Sequence, residues 1–539
     1  MRGFGRRLVR SWRVGILTPG MLLGWEMVAG LFALVRWCGQ RPGWSVSLVL
    51  AAVALAVAIA GQFTQVARLF TGTSLPDWHR SWRLAWRYKW QWLLVELCVA
   101  VLALPLGSWG LSSRILVRLP LAASWVNFVS LHRRPVVIVA AVIYLLLAGY
   151  LLLRGPRHFR RLTPQLKRPG TVRQMAGGLL ICGLLTFGWW VIGEGLVRLN
   201  VVVGSNASTQ LARLLLAASL AGVLLLFVVT SILGVLTVVW SWCGQLDLPL
   251  VSTSEQVRQR WWPIIGGVVC LGLAGAIVQQ TMTQRPQFAT TALISHRGVD
   301  HAWGVQNTIT ALRHVSREHP TYVEMDLHET KDHQWVVLHD ENLQALAAQN
   351  VTPHQLTLRQ LERLTVHENG QSTSLAGWPA YLRVAERLHQ PLMVELKTTP
   401  KDSAGMAKRF ARQYGRRLAR NHDVVHSLDY RVVAQLRQQA PYLEVGYILP
   451  FNWVAPQSVP ADFYSFQQIS ASQQFIVAAH QMGVPAYIWT PDSRAKMTRM
   501  WALGADGQIT NELRRLRAVT QQSPQRQGWA VLQNFIYSY

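Results

Sequence analysis

Charge is scarce in this 539-residue chain: Asp, Glu, Lys and Arg make up 15% of it, against 50% hydrophobic residues. Soluble globular proteins carry nearer 25% charge, so the composition is that of a chain sharing its surface with lipid. Acid is scarcer still in the first half. Residues 1–285 hold 28 Lys and Arg but only 6 Asp and Glu, whereas residues 286–539 hold 25 against 20. The basic excess therefore lies among long apolar runs, which directs it towards phospholipid head groups and away from nucleic acid. Cysteine is also rare, and Cys38, Cys98, Cys182, Cys243 and Cys270 all fall before residue 286. The thiol-free second half argues against a structural zinc there and is compatible with an oxidising exterior. The basic stretch from Met1 to Arg13 leads into an apolar block with no small-residue cleavage site, so it does not read as a cleavable signal.

What the first half does contain is apolar blocks of membrane-spanning length. Seven are read, near 18–36, 45–67, 90–111, 135–153, 175–197, 210–241 and 261–280. Residues 115–131 form a weaker eighth block, interrupted by Arg118 and Pro120, and read as a helix lying in the interface. With the N-terminus inside, the inner segments collect 19 of the 28 basic residues. Seven spans then place everything after about residue 281 outside the cell, and an eighth would reverse that. Many of the 24 tryptophans fall near span ends, as an aromatic belt requires. The expected organisation is a polytopic membrane domain over 1–285, a catalytic domain over 286–519 and a tail over 520–539.

After residue 286 the pattern changes. Nine short β-rich runs (292–295, 322–327, 335–338, 392–396, 423–426, 444–449, 462–466, 486–489, 507–510) alternate with amphipathic helical stretches. That alternation predicts parallel strands closed into a single TIM (β/α)8 barrel, with one run left over as a hairpin or edge piece. Catalytic groups of such barrels gather at strand C-terminal ends, where His296, Glu324, Asp326, His339 and Glu395 fall. Glu324 and Asp326 are two apart on one strand and so share a face. Together with Glu395 they suit a hard divalent cation, Mg²⁺ or Ca²⁺, with Mn²⁺ as a further candidate. Two histidines beside such a cation suit acid/base chemistry on a phosphodiester. His301, His314 and His328 read as solvated loop residues, with a place at the barrel mouth as the alternative for His328, two residues beyond Asp326, and His333 reads as a turn residue.

The segments Ile294-Ser295-His296-Arg297-Gly298, Gln306-Asn307-Thr308, Val323-Glu324-Met325-Asp326, Thr330-Lys331-Asp332, Val336-Val337-Leu338-His339-Asp340 and Val394-Glu395-Leu396-Lys397 resemble the glycerophosphodiester phosphodiesterase family in order and spacing. Trp489-Thr490 and Gly504-Ala505-Asp506-Gly507 are weaker echoes. The first half resembles, in architecture, the membrane domain of a bacterial subset of that family. The resemblance implies a metal-dependent barrel enzyme that releases glycerol 3-phosphate and an alcohol, with the substrate's own glycerol hydroxyl as nucleophile. It implies His296 and His339 as the acid/base pair, Glu324, Asp326 and Glu395 as metal ligands, and Arg297, Lys397 and Trp489 as phosphate- or substrate-binding residues. Gln306 stands where the family has Glu, His333 where it has Gly, Pro491-Asp492 where it has Val-Asn, and Asn511 where it has Asp. Expected substrates are glycerophosphodiesters, lysophospholipid head groups or polyglycerolphosphate such as lipoteichoic acid. A second reading keeps the barrel as a binding or sensing module for such molecules, with the membrane half as scaffold or transporter.

Overall fold

The computed structural model describes residues 121–162 and 291–521, except 302, 452 and 453, with scattered residues between 53 and 275. The chain divides into two compact units. One comprises Met1–Gly107 and Val139–Gln284, the other Ser108–Ile138 and Arg285–Tyr539.

The second unit is built on an eight-stranded parallel barrel. Its strands are β1 (Ala292–Ser295), β2 (Tyr322–Glu329), β6 (Leu392–Leu396), β7 (Val424–Ser427), β8 (Val445–Leu449), β9 (Phe463–Gln467), β10 (Ala486–Trp489) and β11 (Gly507–Thr510), closed by the pairing of β1 with both β2 and β11. The run left over from nine is β3 (Trp335–Val337), which lies antiparallel on β2. Outside the barrel, β4 (Thr365–Glu368) and β5 (Gln371–Ser374) form a separate hairpin across Asn369-Gly370. That hairpin is absent from the sequence reading, because its strands are short and largely polar.

Alternation explains how the strands fill two layers. On β2, Val323, Met325 and Leu327 face outward into an apolar layer shared with Trp378, Tyr381, Leu392, Val394 and Phe410. That layer is covered by helices, among them α3 (Ile309–Val315), α4 (Trp378–Arg387), α5 (Met406–Arg420) and α6 (Tyr430–Gln439). Inside, Ile294, Met393, Val424, Phe463 and Ile509 pack into an apolar floor. Above the floor the inward positions turn polar, as Glu324, Asp326, Glu395 and His426. Gly446 on β8 is required by this packing: a Cβ there would lie 2.2–2.5 Å from the Phe463 ring.

The first described helices precede the barrel by more than a hundred residues. Helix α1 (Ala123–Leu131) is followed after His132 by α2 (Arg133–Leu162). The segment 115–131 was expected to lie in a lipid interface, but α1 packs on the barrel unit. Val126 joins the outer core, and Asn127, Val129 and Ser130 are buried. Asn127 takes part in capping α6: its Nδ2 donates to Oδ1 of the N-cap residue Asp429 at 3.1 Å, and its Oδ1 accepts from the Tyr430 N–H at 2.7 Å. The first N–H groups of a helix have no partner within it, so a side chain from a distant segment stabilises this end. Tyr447 Oη adds a 3.3 Å bond to Ser130.

Among the described residues one helix, Arg133–Tyr150, is long and apolar enough to cross a membrane. It corresponds to the block read at 135–153. The block read at 175–197 includes the shorter apolar helix Ala176–Leu185, and the other five blocks fall almost wholly outside the described residues.

Candidate active site

The site grows from the turn that ends β1. His296, Arg297 and Gly298 form a single 3₁₀ turn in which Arg297 adopts φ 54° and Gly298 φ 70°. A left-handed arginine is uncommon and must be held by its surroundings. Its N–H donates to Glu324 Oε2 at 2.9 Å, its carbonyl accepts from the Asn307 N–H at 2.9 Å, and its Nη1 donates to Gln306 Oε1 at 2.7 Å. Its Nε stands 3.8 Å from Asp326 Oδ2.

The Gln306-Asn307-Thr308 segment divides its work. Asn307 is buried, donating from Nδ2 to Asp326 Oδ2 at 2.9 Å and accepting from the Asp326 N–H at 3.2 Å. Thr308 caps α3 by accepting from the Ala311 N–H. Gln306, where the resemblance led to an expectation of Glu, stands beside Arg297. Its contacts are with Arg297 and with Glu368 on the hairpin, to which its N–H and Nε2 donate at 2.8 and 2.6 Å. An amide suits this position because it accepts from the guanidinium and donates to the carboxylate. A glutamate would set two carboxylates together.

Asp326 and Glu395 are register partners across β2 and β6, and Lys397 places Nζ 3.0 Å from an oxygen of each. The three buried carboxylates titrate apart. Burial raises Asp326, but Lys397, His339 and Arg297 outweigh it and hold it well below the carboxylate range. Burial and the neighbouring Asp326 and Glu395 hold Glu324 well above it. Glu395 is pushed up to about 7 by burial, partly offset by Lys397. The local positive charge thus leaves two carboxylates poorly compensated, which is the condition a bound divalent cation relieves.

The two expected histidines have contrasting partners. His296 Nδ1–H donates to Asn511 Oδ1 at 2.9 Å, and Asn511 in turn donates from Nδ2 to Asp492 Oδ2 at 2.9 Å. Burial and the Arg297 charge lower His296 to about 4, against the raising effect of Asn511. His339 Nδ1–H donates to the Asp340 carboxylate at 2.7 Å, and burial lowers it too. His339 follows the antiparallel strand β3, not a barrel strand as expected. The Leu338 N–H bond to the Asp326 carbonyl, 3.0 Å, turns the chain back over the site. With Nδ1 engaged on each ring, Nε2 is left to exchange protons.

Trp489 ends β10, half-buried beside the apolar floor. His328, read as a solvated loop residue, is buried, and its Nε2 donates to the His339 carbonyl at 3.1 Å. His301 is exposed and pairs with Glu512, His314 stacks on Trp303, and His333 sits in a turn at φ 55° bonded to Glu329.

His426 escaped the sequence reading. It is the register partner of Glu395 on β7, and ligand atoms of Glu324, Glu395 and His426 all lie within 4.8 Å of one another. Its place near the C-terminal end of a barrel strand was the available signal.

The barrel, its carboxylates and its paired histidines define the catalytic domain of a phosphodiester hydrolase. Residues 296–515 match the glycerophosphoryl diester phosphodiesterase family, and the chain carries a domain of that family. It is 23% identical over 229 residues to YhdW of Bacillus subtilis, provisionally named a glycerophosphodiester phosphodiesterase, covering 41% of this chain and 93% of that protein. It is also 23% identical over 230 residues to a glycerophosphodiester phosphodiesterase of Caldanaerobacter subterraneus, covering 41% and 94%. A solved glycerophosphodiester phosphodiesterase from Parabacteroides distasonis aligns at 23% identity and TM-score 0.39, over 43% of this chain and 97% of that one.

Proposed function

We propose that the protein is a membrane-anchored, metal-dependent glycerophosphodiester phosphodiesterase that releases glycerol 3-phosphate and an alcohol. The observation that carries this reading is the pair of histidines, each with Nδ1 engaged, beside three buried carboxylates and two cations.

Their partners divide the labour. His296 rests on the neutral amide of Asn511 and is lowered to about 4, so it is unprotonated at neutral pH and takes the proton from the attacking hydroxyl. His339 rests on the carboxylate of Asp340, which offsets part of the lowering by burial and steadies the imidazolium formed when the ring takes up a proton, so it is assigned the transfer to the departing alcohol. Arg297 and Lys397 offset phosphoryl charge as it grows towards the transition state. Glu324, Asp326 and Glu395 are the expected ligands of a divalent cation, whose chemistry when bound is Lewis-acid stabilisation of the phosphoryl oxygens. Trp489, half-buried at the end of β10, is assigned to the glycerol or its leaving group.

Residues 1–285, apart from α1, are assigned as a multi-pass anchor with the catalytic domain outside the cell, a reading supported by the helix Arg133–Tyr150 and the distribution of basic residues. Substrates are then glycerophosphodiesters, lysophospholipid head groups or polyglycerolphosphate chains near the outer surface. The test is release of glycerol 3-phosphate by the detergent-purified full chain, abolished by chelation and by His296→Ala or His339→Ala. Wild-type-like turnover in either variant removes the assignment, and binding of these molecules without hydrolysis favours the sensing module. Labelling of a cysteine placed in the barrel of intact cells tests the sidedness.

A further inference from the structure

We infer that His426 is a nitrogen ligand of the metal centre, making it a mixed nitrogen–oxygen site that selects first-row transition cations such as Mn²⁺ over Mg²⁺ and Ca²⁺. This rests on the metal-dependent reading above and deepens it.

Four observations converge on the imidazole. It is 2% exposed, and its Nε2 is buried with no hydrogen-bond partner among the described residues. A buried nitrogen left in that state costs about 1–3 kcal/mol, so the position calls for a partner that the protein itself does not supply. Second, Nδ1 lies 3.0 Å from Ser465 Oγ on β9. If Nδ1–H donates to that hydroxyl, the lone pair sits on Nε2, the arrangement by which outer-shell groups orient metal-binding histidines. Third, the ligand atoms of Glu324, Glu395 and His426 lie within 4.8 Å of one another. Two donors on opposite sides of one ion are about 4.2–5.2 Å apart for bonds of 2.1–2.6 Å, so all three fit one coordination sphere. Fourth, the ring is braced. The Phe463 ring lies 5.9 Å away, in the space Gly446 leaves by having no side chain.

Asp326 is differently placed. It does not join that three-residue group, and Asn307 donates to its Oδ2, while Lys397 Nζ stands 3.0 Å from an oxygen of Asp326 and of Glu395 alike. The innermost donors are therefore two carboxylates and an imidazole, in place of the expected three carboxylates. Magnesium and calcium favour all-oxygen surroundings, whereas an imidazole favours transition cations, so the nitrogen sets the preference.

The experiment uses the metal-stripped full chain in detergent, titrated separately with MnCl₂ and CaCl₂ by calorimetry. Pulsed electron paramagnetic resonance of the Mn²⁺ form then looks for ¹⁴N coupling. His426→Gln keeps the size and polarity of the side chain but removes the nitrogen donor. It should lose the ¹⁴N signal and weaken Mn²⁺ binding by about tenfold or more, while Ca²⁺ affinity changes less than about threefold. Ser465→Ala, milder for the fold, should weaken Mn²⁺ in the same direction. Mn²⁺ bound without ¹⁴N coupling in the wild type overturns the role of His426 alone. So does a signal that survives His426→Gln. Failure of either ion to bind, with hydrolysis indifferent to chelation, overturns the metal-dependent reading itself.

Discussion

Asn511→Asp is the most informative single change, because it alters the charge behind His296 without touching the ring. In the wild type the imidazole Nδ1–H meets a neutral amide at 2.9 Å, and His296 is lowered to about 4. A carboxylate at that distance favours the imidazolium and raises the pKa by about 1–3 units, each unit being about 1.4 kcal/mol. A general base works only when unprotonated, so activity is lost as pH falls through its pKa. The acidic limb of kcat/KM, near pH 4 in the wild type, should therefore move up by about one to three pH units. The same change sets a new carboxylate against Asp492, which now accepts from Asn511 Nδ2 at 2.9 Å, so some stability is lost. Pairing it with Asp492→Asn restores a donor there and should recover the melting temperature while keeping the shifted limb. The assay is a pH–rate profile of glycerol 3-phosphate release, with folding checked by thermal melting. A folded Asn511→Asp protein with an unmoved acidic limb would refute His296 as the base.

Three further changes have defined outcomes. Gln306→Glu sets a carboxylate against Glu368 and should cost about 1–3 kcal/mol in denaturant unfolding; adding Glu368→Gln should restore most of it, and no loss in the single variant would dismiss the Arg297–Gln306–Glu368 chain. Asn127→Ala leaves the Tyr430 N–H without its partner and removes one donor to Asp429, which keeps Arg431, and should destabilise the barrel by about 1–2 kcal/mol, read as earlier hydrogen exchange in α6; unchanged exchange would mean that α1 does not cap it. Glu395 and Asp423 are both raised to about 7 in the folded state by burial, so these two carboxyls hold more proton in the folded than in the unfolded chain above pH 4.5, whereas the buried His296 and His328, lowered to about 4, and His426, lowered to about 3, hold less below about pH 6.5. Asp423→Asn removes one of the two acid contributions, so the stability of the metal-free protein should fall less, or rise more, between about pH 4.5 and 7 than in the wild type, and added Mn²⁺ should act in the same direction through Glu395; a stability–pH slope unchanged by Asp423→Asn in thermal melts would contradict its shift.

The catalytic half was unusually legible. Strand and helix alternated with clear punctuation, and the acids and histidines fell near strand ends, where a barrel gathers its chemistry. That nine runs competed for eight places was legible, but not which was surplus: β3 is a three-residue strand antiparallel to β2, and His339 after it had been read at the end of a barrel strand. What escaped depended on three-dimensional register. His426 lies in Val424-Val425-His426-Ser427, which reads as an ordinary buried strand, and only its pairing with Glu395 brings it to the carboxylates. Glu368 was hidden in a polar hairpin whose Asn369-Gly370 turn was visible but whose strands carry no apolar alternation. Asn127 was hidden more deeply. A lone asparagine in an apolar stretch reads as membrane-associated, and nothing local indicates a helix some 300 residues away whose terminus it completes.

That last contact carries a rule of parity. Asn127 and Asp429 touch, so they lie on the same side of any bilayer the chain enters. The polypeptide that departs at Arg133 and returns by Ala292 must then traverse that bilayer an even number of times. The blocks at 135–153, 175–197, 210–241 and 261–280 number four and meet the rule. If the blocks read before residue 121 cross as well, their count alone sets whether the barrel faces the same side as the N-terminus or the opposite side.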